Sequence, residues 1–152
     1  MKPLSREDFL EVVRHTPLIS IDLVVRDEAD RVLVGLRLNR PAKSSWFVPG
    51  GRIYKDERLD AAFERVTMTE LGRAFPRTSA RSLGVYEHLY DDNALEVPGV
   101  STHYVVLGYE FRVDATTITL PEAQHSRFRW MSLDELMNDP SVHANTRAYF
   151  RE

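Results

Sequence analysis

The chain has 152 residues, 43% of them hydrophobic and 28% charged, which is the range of one ordinary globular domain. Its 20 Lys and Arg against 23 Asp and Glu give a formal net charge of −3 and no basic footprint for nucleic acid. No apolar run approaches the roughly 20 residues of a membrane span. The absence of cysteine excludes disulfides, thiolate zinc sites and cysteine nucleophiles. We therefore expect one cytoplasmic domain, residues 1–152, that binds neither nucleic acid nor a membrane.

The first third of the chain predicts a helix, a hairpin and a loop. Ser5 to Thr16 is a short amphipathic helix that Ser5 can cap. Leu18 to Arg26 and Val32 to Leu38 are alternating, β-branched segments on either side of a polar turn, which indicates a β-hairpin. Asn39 to Lys55 contains two prolines and a Gly-Gly pair, so we expect an ordered loop with short extended pieces around residues 46–48.

A second helix is predicted between Asp56, a candidate N-cap, and Gly72, which closes it. Its apolar stripe consists of Leu59, Ala62, Phe63 and Val66. Two long strands follow, Ser82 to Tyr90 and Thr102 to Val113. A short strand from Phe128 to Met131, a helix opened by Ser132 and a segment to Phe150 complete the chain. Because strands and helices mix without regular alternation, the predicted class is α/β with a mixed sheet between helices.

Glu70 is an acidic residue in an unfavourable place. At about 100° per residue it shares the angular sector of the apolar stripe, and it lies in the last turn, where the helix dipole disfavours negative charge. A carboxylate placed there needs a cation, either an arginine or a metal ion. The alternative is that the helix frays and Glu70 turns to solvent.

Three arginines, Arg37, Arg52 and Arg65, bracket the Gly50-Gly51 loop and the helix after it. Guanidinium groups suit phosphate oxygens, and adjacent glycines allow a close backbone approach. Each arginine taken singly would be a solvated or ion-paired surface residue. Their clustering indicates a site for a phosphate or pyrophosphate.

The spacing of these residues resembles the Nudix box. The match to the family pattern extends over 22 residues and begins at Gly51. Five residues separate Gly51 from Glu57, seven separate Glu57 from Arg65, and the match ends with Glu70-Leu71-Gly72. Val66 and Thr69 stand where the family usually has metal-binding or base glutamates. Glu70 alone remains of that acidic cluster.

This departure is similar to that of one branch, the GDP-mannose mannosyl hydrolases, and the likeness extends over nearly the whole chain. It is carried by segments such as Asn39-Arg40-Pro41-Ala42, Ala61-Ala62-Phe63-Glu64-Arg65, Tyr90-Asp91-Asp92-Asn93, Thr102-His103-Tyr104-Val105-Val106-Leu107-Gly108 and Val142-His143-Ala144-Asn145. The resemblance implies a Nudix α/β/α sandwich, a homodimer and a Mg²⁺ cofactor for which Mn²⁺ can substitute. It also implies hydrolysis of GDP-mannose, and in some members GDP-glucose, to GDP and free sugar.

The resemblance also implies roles for individual residues. Glu70, the backbone carbonyl of Gly50 and the side chain of Gln124 would hold the metal. The expected pyrophosphate or leaving-group contacts are Arg37, Arg52 and Tyr104. His125 matches the base that deprotonates water, and an imidazole titrates in the range this task needs.

Further residues are weaker candidates for substrate contact. His88 could touch the substrate, and Asp22 could orient an arginine or the sugar, although both could be structural. Leu4 and Phe9 match an N-terminal region that approaches the nucleotide across the dimer, where an aromatic face could stack on guanine. Phe9 at helical spacing could equally belong to the core.

The remaining acidic residues point to an unusual reaction centre. Attack of water on phosphorus calls for several carboxylates and metals, whereas attack at the sugar carbon leaves charge on a departing phosphate that one Mg²⁺ and arginines can stabilise. Two alternatives remain. One is an ordinary Nudix diphosphatase that releases a nucleoside monophosphate and a sugar phosphate. The other is a non-catalytic nucleotide-sugar sensor.

Overall fold

The computed structural model describes residues 4–121 and 127–151. The helices and strands follow one another along the chain as α1 (Arg6–His15), β1 (Leu18–Arg26), β2 (Val32–Leu36), β3 (Trp46–Phe47), β4 (Gly50–Arg52), α2 (Leu59–Leu71), β5 (Arg81–Tyr90), β6 (Thr102–Arg112), β7 (Phe128–Met131), α3 (Leu133–Asn138) and α4 (Ala144–Arg147). Three short 3₁₀ turns lie at Arg77–Ser79, Ala115–Thr117 and Ala148–Phe150.

These strands form one mixed sheet of seven strands with the main order β3-β2-β1-β6-β5. The central pair, β1 and β6, is parallel along the whole of β1, from Leu18 opposite Tyr104 to Arg26 opposite Arg112. The other pairings are antiparallel, with β4 against the first half of β1 and β7 against β2. The predicted hairpin of β1 and β2 is present, and these strands pair where Arg26 faces Val32, because β4 occupies the earlier part of that edge.

Side chains of β1 alternate between the two faces of the sheet, as a strand requires. Ile21, Leu23 and Val25 pack with α2 in one buried cluster. Val24 points to the opposite face and packs in a second cluster with Leu136 of α3 and Tyr149 near the C-terminus. Helices therefore cover both faces, and the predicted α/β/α sandwich with a mixed sheet is confirmed.

Local sequence signals account for several helix ends. The Ser5 side chain accepts a hydrogen bond from the Asp8 backbone N–H at 3.1 Å, which caps α1 as predicted. Ser132 and Glu135 form a capping box at the start of α3. Gly72 ends α2 in the left-handed conformation, with a φ of 70°.

The predicted start of α2 is wrong. The helix begins at Leu59, and Arg58 is its N-cap with no side-chain hydrogen bond. Asp56 instead has a φ of 67° in the preceding turn, which the Glu57 backbone N–H closes on the Tyr54 carbonyl at 3.1 Å. Leu59 is 39% exposed at the helix start, while Ala62, Phe63 and Val66 are buried as predicted.

In the part of the chain that the structure describes, no helix is long and apolar enough to cross a bilayer.

Candidate active site

A cleft opens where β4 and the loop before it meet one face of β1, β5 and β6. Its lining combines cationic, aromatic and glycine residues, namely Ser20, Asp22, Arg37, Phe47, Val48, Gly50, Gly51, Arg52, His88, Tyr90 and Tyr104. Five of the predicted site residues other than Gly50 are brought together here: Asp22, Arg37, Arg52, His88 and Tyr104. The sheet achieves this because side chains two residues apart on one strand point to the same face.

Arg37 and Arg52 are the cations of this cleft, and aromatic rings hold both guanidinium groups. The Arg37 guanidinium lies 5.2 Å from the centre of the Phe47 ring and donates a hydrogen bond to the Pro41 carbonyl at 3.1 Å. The Arg52 guanidinium lies between Phe9, at 4.8 Å, and Tyr54, at 5.5 Å. Neither arginine forms an ion pair within residues 4–121 and 127–151, in contrast to Arg26, Arg31 and Arg65. Their charges are therefore available to an anionic ligand.

Arg65, the third arginine of the predicted phosphate site, has a structural role. Its Nε and Nη2 donate to the two carboxylate oxygens of Glu57 at 2.7 and 3.0 Å, and Nη2 also donates to the Arg52 carbonyl at 2.7 Å. The Arg65 hydrogen bond, together with one from the Tyr54 backbone N–H, holds the pKa of Glu57 below its ordinary value. The hydrogen bonds of Arg65 attach α2 to Arg52 at the end of β4, the strand that carries the two glycines.

Glu70 lies half-buried at the other end of α2. Burial raises the pKa of its carboxyl from 4.5 to about 7, and the nearby positive charge of Arg37 opposes that rise. Among the described residues its side chain has no ion-pair or hydrogen-bond partner. The prediction that helical spacing draws Glu70 into the buried stripe is confirmed, and the carboxylate remains short of a compensating cation.

The other two positions of the acidic cluster have no ligand character. Val66 is 1% exposed, and a Cβ atom built on Gly51 would lie 3.1 Å from its Cγ2, so Val66 packs directly under β4. Thr69 is exposed on the solvent side of α2. Within residues 4–121 and 127–151, no three His, Asp or Glu side chains are grouped so that they could hold a metal ion by themselves.

Asp22 lies on the cleft between glycines of both neighbouring strands, Gly50 on β4 and Gly108 on β6. A Cβ atom on Gly50 would come within 2.5 Å of Asp22 Oδ1, so only glycine leaves room for this carboxylate. Burial raises the pKa of Asp22 to about 6, against the opposing effects of a Tyr149 hydrogen bond and the charge of Arg37.

His88, Tyr90 and Tyr104 form the aromatic side of the cleft. His88 is 6% exposed, its Nε2 has no hydrogen-bond partner among the described residues, and burial lowers its pKa to about 4. The imidazole is therefore neutral at neutral pH. Burial raises the pKa of the Tyr104 hydroxyl, which keeps it protonated and able to donate to an anion.

The N-terminal candidates lie beside the cleft rather than within its lining. Phe9 packs on the Arg52 guanidinium of its own chain. Leu4 is 44% exposed and borders an apolar groove with Ile19, Ile53 and Leu59. Gln124 and His125, the predicted metal ligand and base, lie outside the described residues, so their positions stay predictions.

The C-terminal segment supplies residues that the sequence analysis missed. The Tyr149 hydroxyl donates a hydrogen bond to Asp22 Oδ2 at 2.6 Å, and Asn145 Nδ2 donates to the Tyr90 hydroxyl at 3.1 Å. The sequence contains one indication of this contact: Gly108 lies inside a long β-strand, and a glycine in such a place often marks the close approach of another group. That group is the Tyr149 ring.

Comparison with known proteins identifies the fold. The NUDIX domain family model matches residues 16–152. The chain belongs to the NUDIX family. It is similar to the low-salt glycan biosynthesis protein Agl8 of Haloferax volcanii, with 39% identity over 132 residues, covering 84% of this chain and 81% of that protein.

Solved Nudix structures share the fold at lower identity. A MutT protein from Methanosarcina mazei superposes with a TM-score of 0.68 at 20% identity, covering 90% of this chain and 92% of that one. The NUDIX domain of Shewanella oneidensis NrtR, in complex with ADP ribose, has a TM-score of 0.64 at 19% identity and covers 97% and 96%. The predicted membership of the Nudix hydrolase superfamily is confirmed.

Proposed function

We propose that this Nudix protein is a Mg²⁺-dependent hydrolase of GDP-mannose, with GDP-glucose as a second substrate, and that water attacks the anomeric carbon to release GDP and free sugar. The observation that carries the proposal is the state of the acidic positions in the box. Val66 is buried, Thr69 faces solvent, and Glu70 alone presents a carboxylate in need of a cation. A site with one such carboxylate favours stabilisation of a leaving group over the multi-metal activation of water at phosphorus.

The residues present fit a magnesium ion. Glu70 is a hard oxygen ligand whose negative charge is costly where it lies, and a divalent cation would remove that cost. Glu70, the Gly50 carbonyl and Gln124 would hold the ion. When bound, Mg²⁺ supplies positive charge to a phosphate oxygen of the leaving group.

Other side chains bind the pyrophosphate, contact the sugar and activate the water. Arg37 and Arg52 bind the pyrophosphate and stabilise the charge that develops as GDP departs, and the protonated Tyr104 hydroxyl donates to the same group. Asp22 and His88 contact the sugar. His125 removes the proton from the attacking water on the opposite side of the anomeric carbon.

The relatives support a nucleoside diphosphate sugar as the class of ligand. The protein Agl8 is named for glycan biosynthesis, a process that uses activated sugars. The NrtR domain binds ADP ribose, a nucleoside diphosphate joined to a sugar, on the same fold.

The proposal includes a homodimer in which Leu4 and Phe9 approach the nucleotide of the partner subunit. The exposure of Leu4 agrees with such a contact, whereas Phe9 already packs on Arg52. Sedimentation velocity tests the assembly: a species of about 35 kDa, twice the 17.5 kDa of one chain, is expected.

Product identity tests the reaction. The protein is incubated with Mg²⁺ and a panel of nucleotide sugars, and the products are separated by chromatography. The proposal predicts GDP and free mannose from GDP-mannose. GMP with mannose 1-phosphate would show a diphosphatase, and binding of GDP-mannose without turnover would show a sensor.

A further inference from the structure

Tyr149 is a buried tyrosine near the C-terminus whose hydroxyl bonds to Asp22 and whose ring packs edge-on against His88, both residues of the cleft, with the His88 ring centre 6.3 Å away. Its side chain is 8% exposed and does not line the cleft. Its hydroxyl donates to Asp22 Oδ2 at 2.6 Å, across 127 residues of sequence. A hydrogen bond to a carboxylate is charge-assisted and strongly directional, so it fixes the rotation of the carboxyl group as well as its position.

The strands beside Asp22 are shaped to admit this contact. Gly108 faces Asp22 across the parallel pairing of β1 and β6, and a Cβ atom there would lie 3.0 Å from Tyr149 Cε1. On the other side of Asp22, Gly50 leaves space for Oδ1. One carboxylate oxygen is therefore held by Tyr149, and the other lies at Gly50 of β4, the strand that also carries Arg52.

The same C-terminal segment supports two more residues of the cleft. The His143 ring stacks on Phe47 with ring centres 4.7 Å apart. Asn145 donates to the Tyr90 hydroxyl. The Tyr149 contact is thus one of several between this segment and the lining of the cleft, and packing of the core alone does not require a hydroxyl at this point.

We infer that Tyr149 is a positioning residue, whose hydroxyl orients the Asp22 carboxylate for the substrate and acts on the reaction through Asp22. The inference rests on the proposed function, in which Asp22 contacts the sugar. Displacement of a group that orients substrate costs activity steeply, because small errors in geometry are amplified in the rate.

A double-mutant cycle tests this role. The wild type, Tyr149→Phe, Asp22→Ala and the double variant are assayed with GDP-mannose and Mg²⁺. Tyr149→Phe is expected to lower kcat/KM by about 10- to 100-fold in the wild-type background. In the Asp22→Ala background the same change should alter kcat/KM by less than about threefold, since the group it positions has gone.

Two further variants separate positioning from packing. Tyr86→Phe removes a hydroxyl that donates to the Leu83 carbonyl and to no other acceptor in residues 4–121 and 127–151. Its ring packs edge-on against Tyr149 at 4.6 Å, and the variant should stay within about twofold of wild type. Gly108→Ala pushes on the Tyr149 ring and should lower kcat/KM in the same direction as Tyr149→Phe. Melting temperatures of all variants confirm folding.

The outcomes are distinct. Equal losses from Tyr149→Phe in both backgrounds, or a full rate in Tyr149→Phe, would overturn the positioning role while leaving the proposed function intact. A wild type that releases no GDP from GDP-mannose would instead contradict the proposed function, and the inference with it.

Discussion

The two ends of α2 carry one glutamate each, and the two residues are held in opposite ways. Glu57, just before the helix, is bound by both nitrogens of the Arg65 fork and by the Tyr54 backbone, and its pKa is lowered. Glu70, in the last turn, is half-buried with a pKa raised to about 7. A glutamate at a motif position therefore has no role fixed by its charge alone, because Arg65 already neutralises the Glu57 carboxylate whereas the Glu70 carboxylate still needs a cation.

The largest effect should come from the base rather than from either glutamate. His125→Gln is expected to lower kcat by roughly 10²- to 10⁴-fold and to abolish the acidic limb of its pH profile. His88→Gln should keep that limb, since burial lowers the pKa of His88 to about 4 and leaves it neutral over the assay range. Stopped assays from pH 5 to 9 measure both variants. A limb that survives in His125→Gln would contradict the assignment of the base and leave Asp22, with a pKa of about 6, or Glu70, with a pKa of about 7, as the titrating group.

Replacing the unneutralised carboxylate tests its assignment as metal ligand. Glu70→Gln should lower kcat by about 10²-fold or more and weaken activation by Mg²⁺, because charge stabilisation at the leaving group is lost. Glu64→Gln, on the exposed side of the same helix, is the matched control and should behave as wild type. Mg²⁺ titrations of the rate make the measurement. Near-normal activation of Glu70→Gln would defeat the assignment.

Replacing the neutralised carboxylate should affect stability instead. Glu57→Gln is expected to lower the free energy of unfolding by about 2 kcal/mol at pH 7, since charged hydrogen bonds to Arg65 are lost. The folded pKa of Glu57 lies below its ordinary 4.5, so its contribution is present above that pH and disappears as the pH falls through the folded value. Urea titrations of both proteins at pH 7 and pH 3.5 should show the difference shrinking at the lower pH. A difference independent of pH would contradict the ion-pair role.

The smallest effect concerns the stability of the metal-free protein. The Glu70 carboxyl ionises near pH 4.5 when unfolded and near pH 7 when folded, so its ionisation opposes folding as the pH rises between these values. Melting temperatures in EDTA should therefore favour Glu70→Gln over wild type increasingly from pH 5 to pH 8. Added Mg²⁺ should reverse that order. An unchanged order would mean that Glu70 has another partner.

Much of the fold could be predicted because local signals agree with tertiary packing. Ser5 and Ser132 cap helices as their sequence contexts predict, and the alternation of β1 places its apolar residues in the core. The start of α2 could not be predicted, because Asp56 is a residue type that commonly caps helices. The helix begins later, where the hydrogen bonds from Arg65 to Glu57 and the turn that closes on the Tyr54 carbonyl allow it.

The site, like the fold, could be predicted only in part. Helical spacing alone predicts that Glu70 lies in the buried stripe of α2, and the clustering of Arg37 and Arg52 predicts a phosphate site. The role of Arg65 could be assigned only from the structure. Its partner Glu57 lies eight residues away, and sequence spacing does not tell whether an arginine pairs with a carboxylate of the chain or binds a ligand. The contact between Tyr149 and Asp22 could not be predicted from the sequence either, because the two residues are 127 positions apart and their approach depends on the absence of a side chain at Gly108.

A box with one unneutralised carboxylate should direct water to the anomeric carbon of the sugar and not to phosphorus. Hydrolysis of GDP-mannose in water enriched in oxygen-18, followed by mass spectrometry of both products, tests it most directly. We expect the label in mannose and none in GDP, with β-mannose formed first as back-side attack on an α-linked sugar requires. Label on a phosphate, or GMP as a product, would place the attack at phosphorus and contradict the proposed reaction.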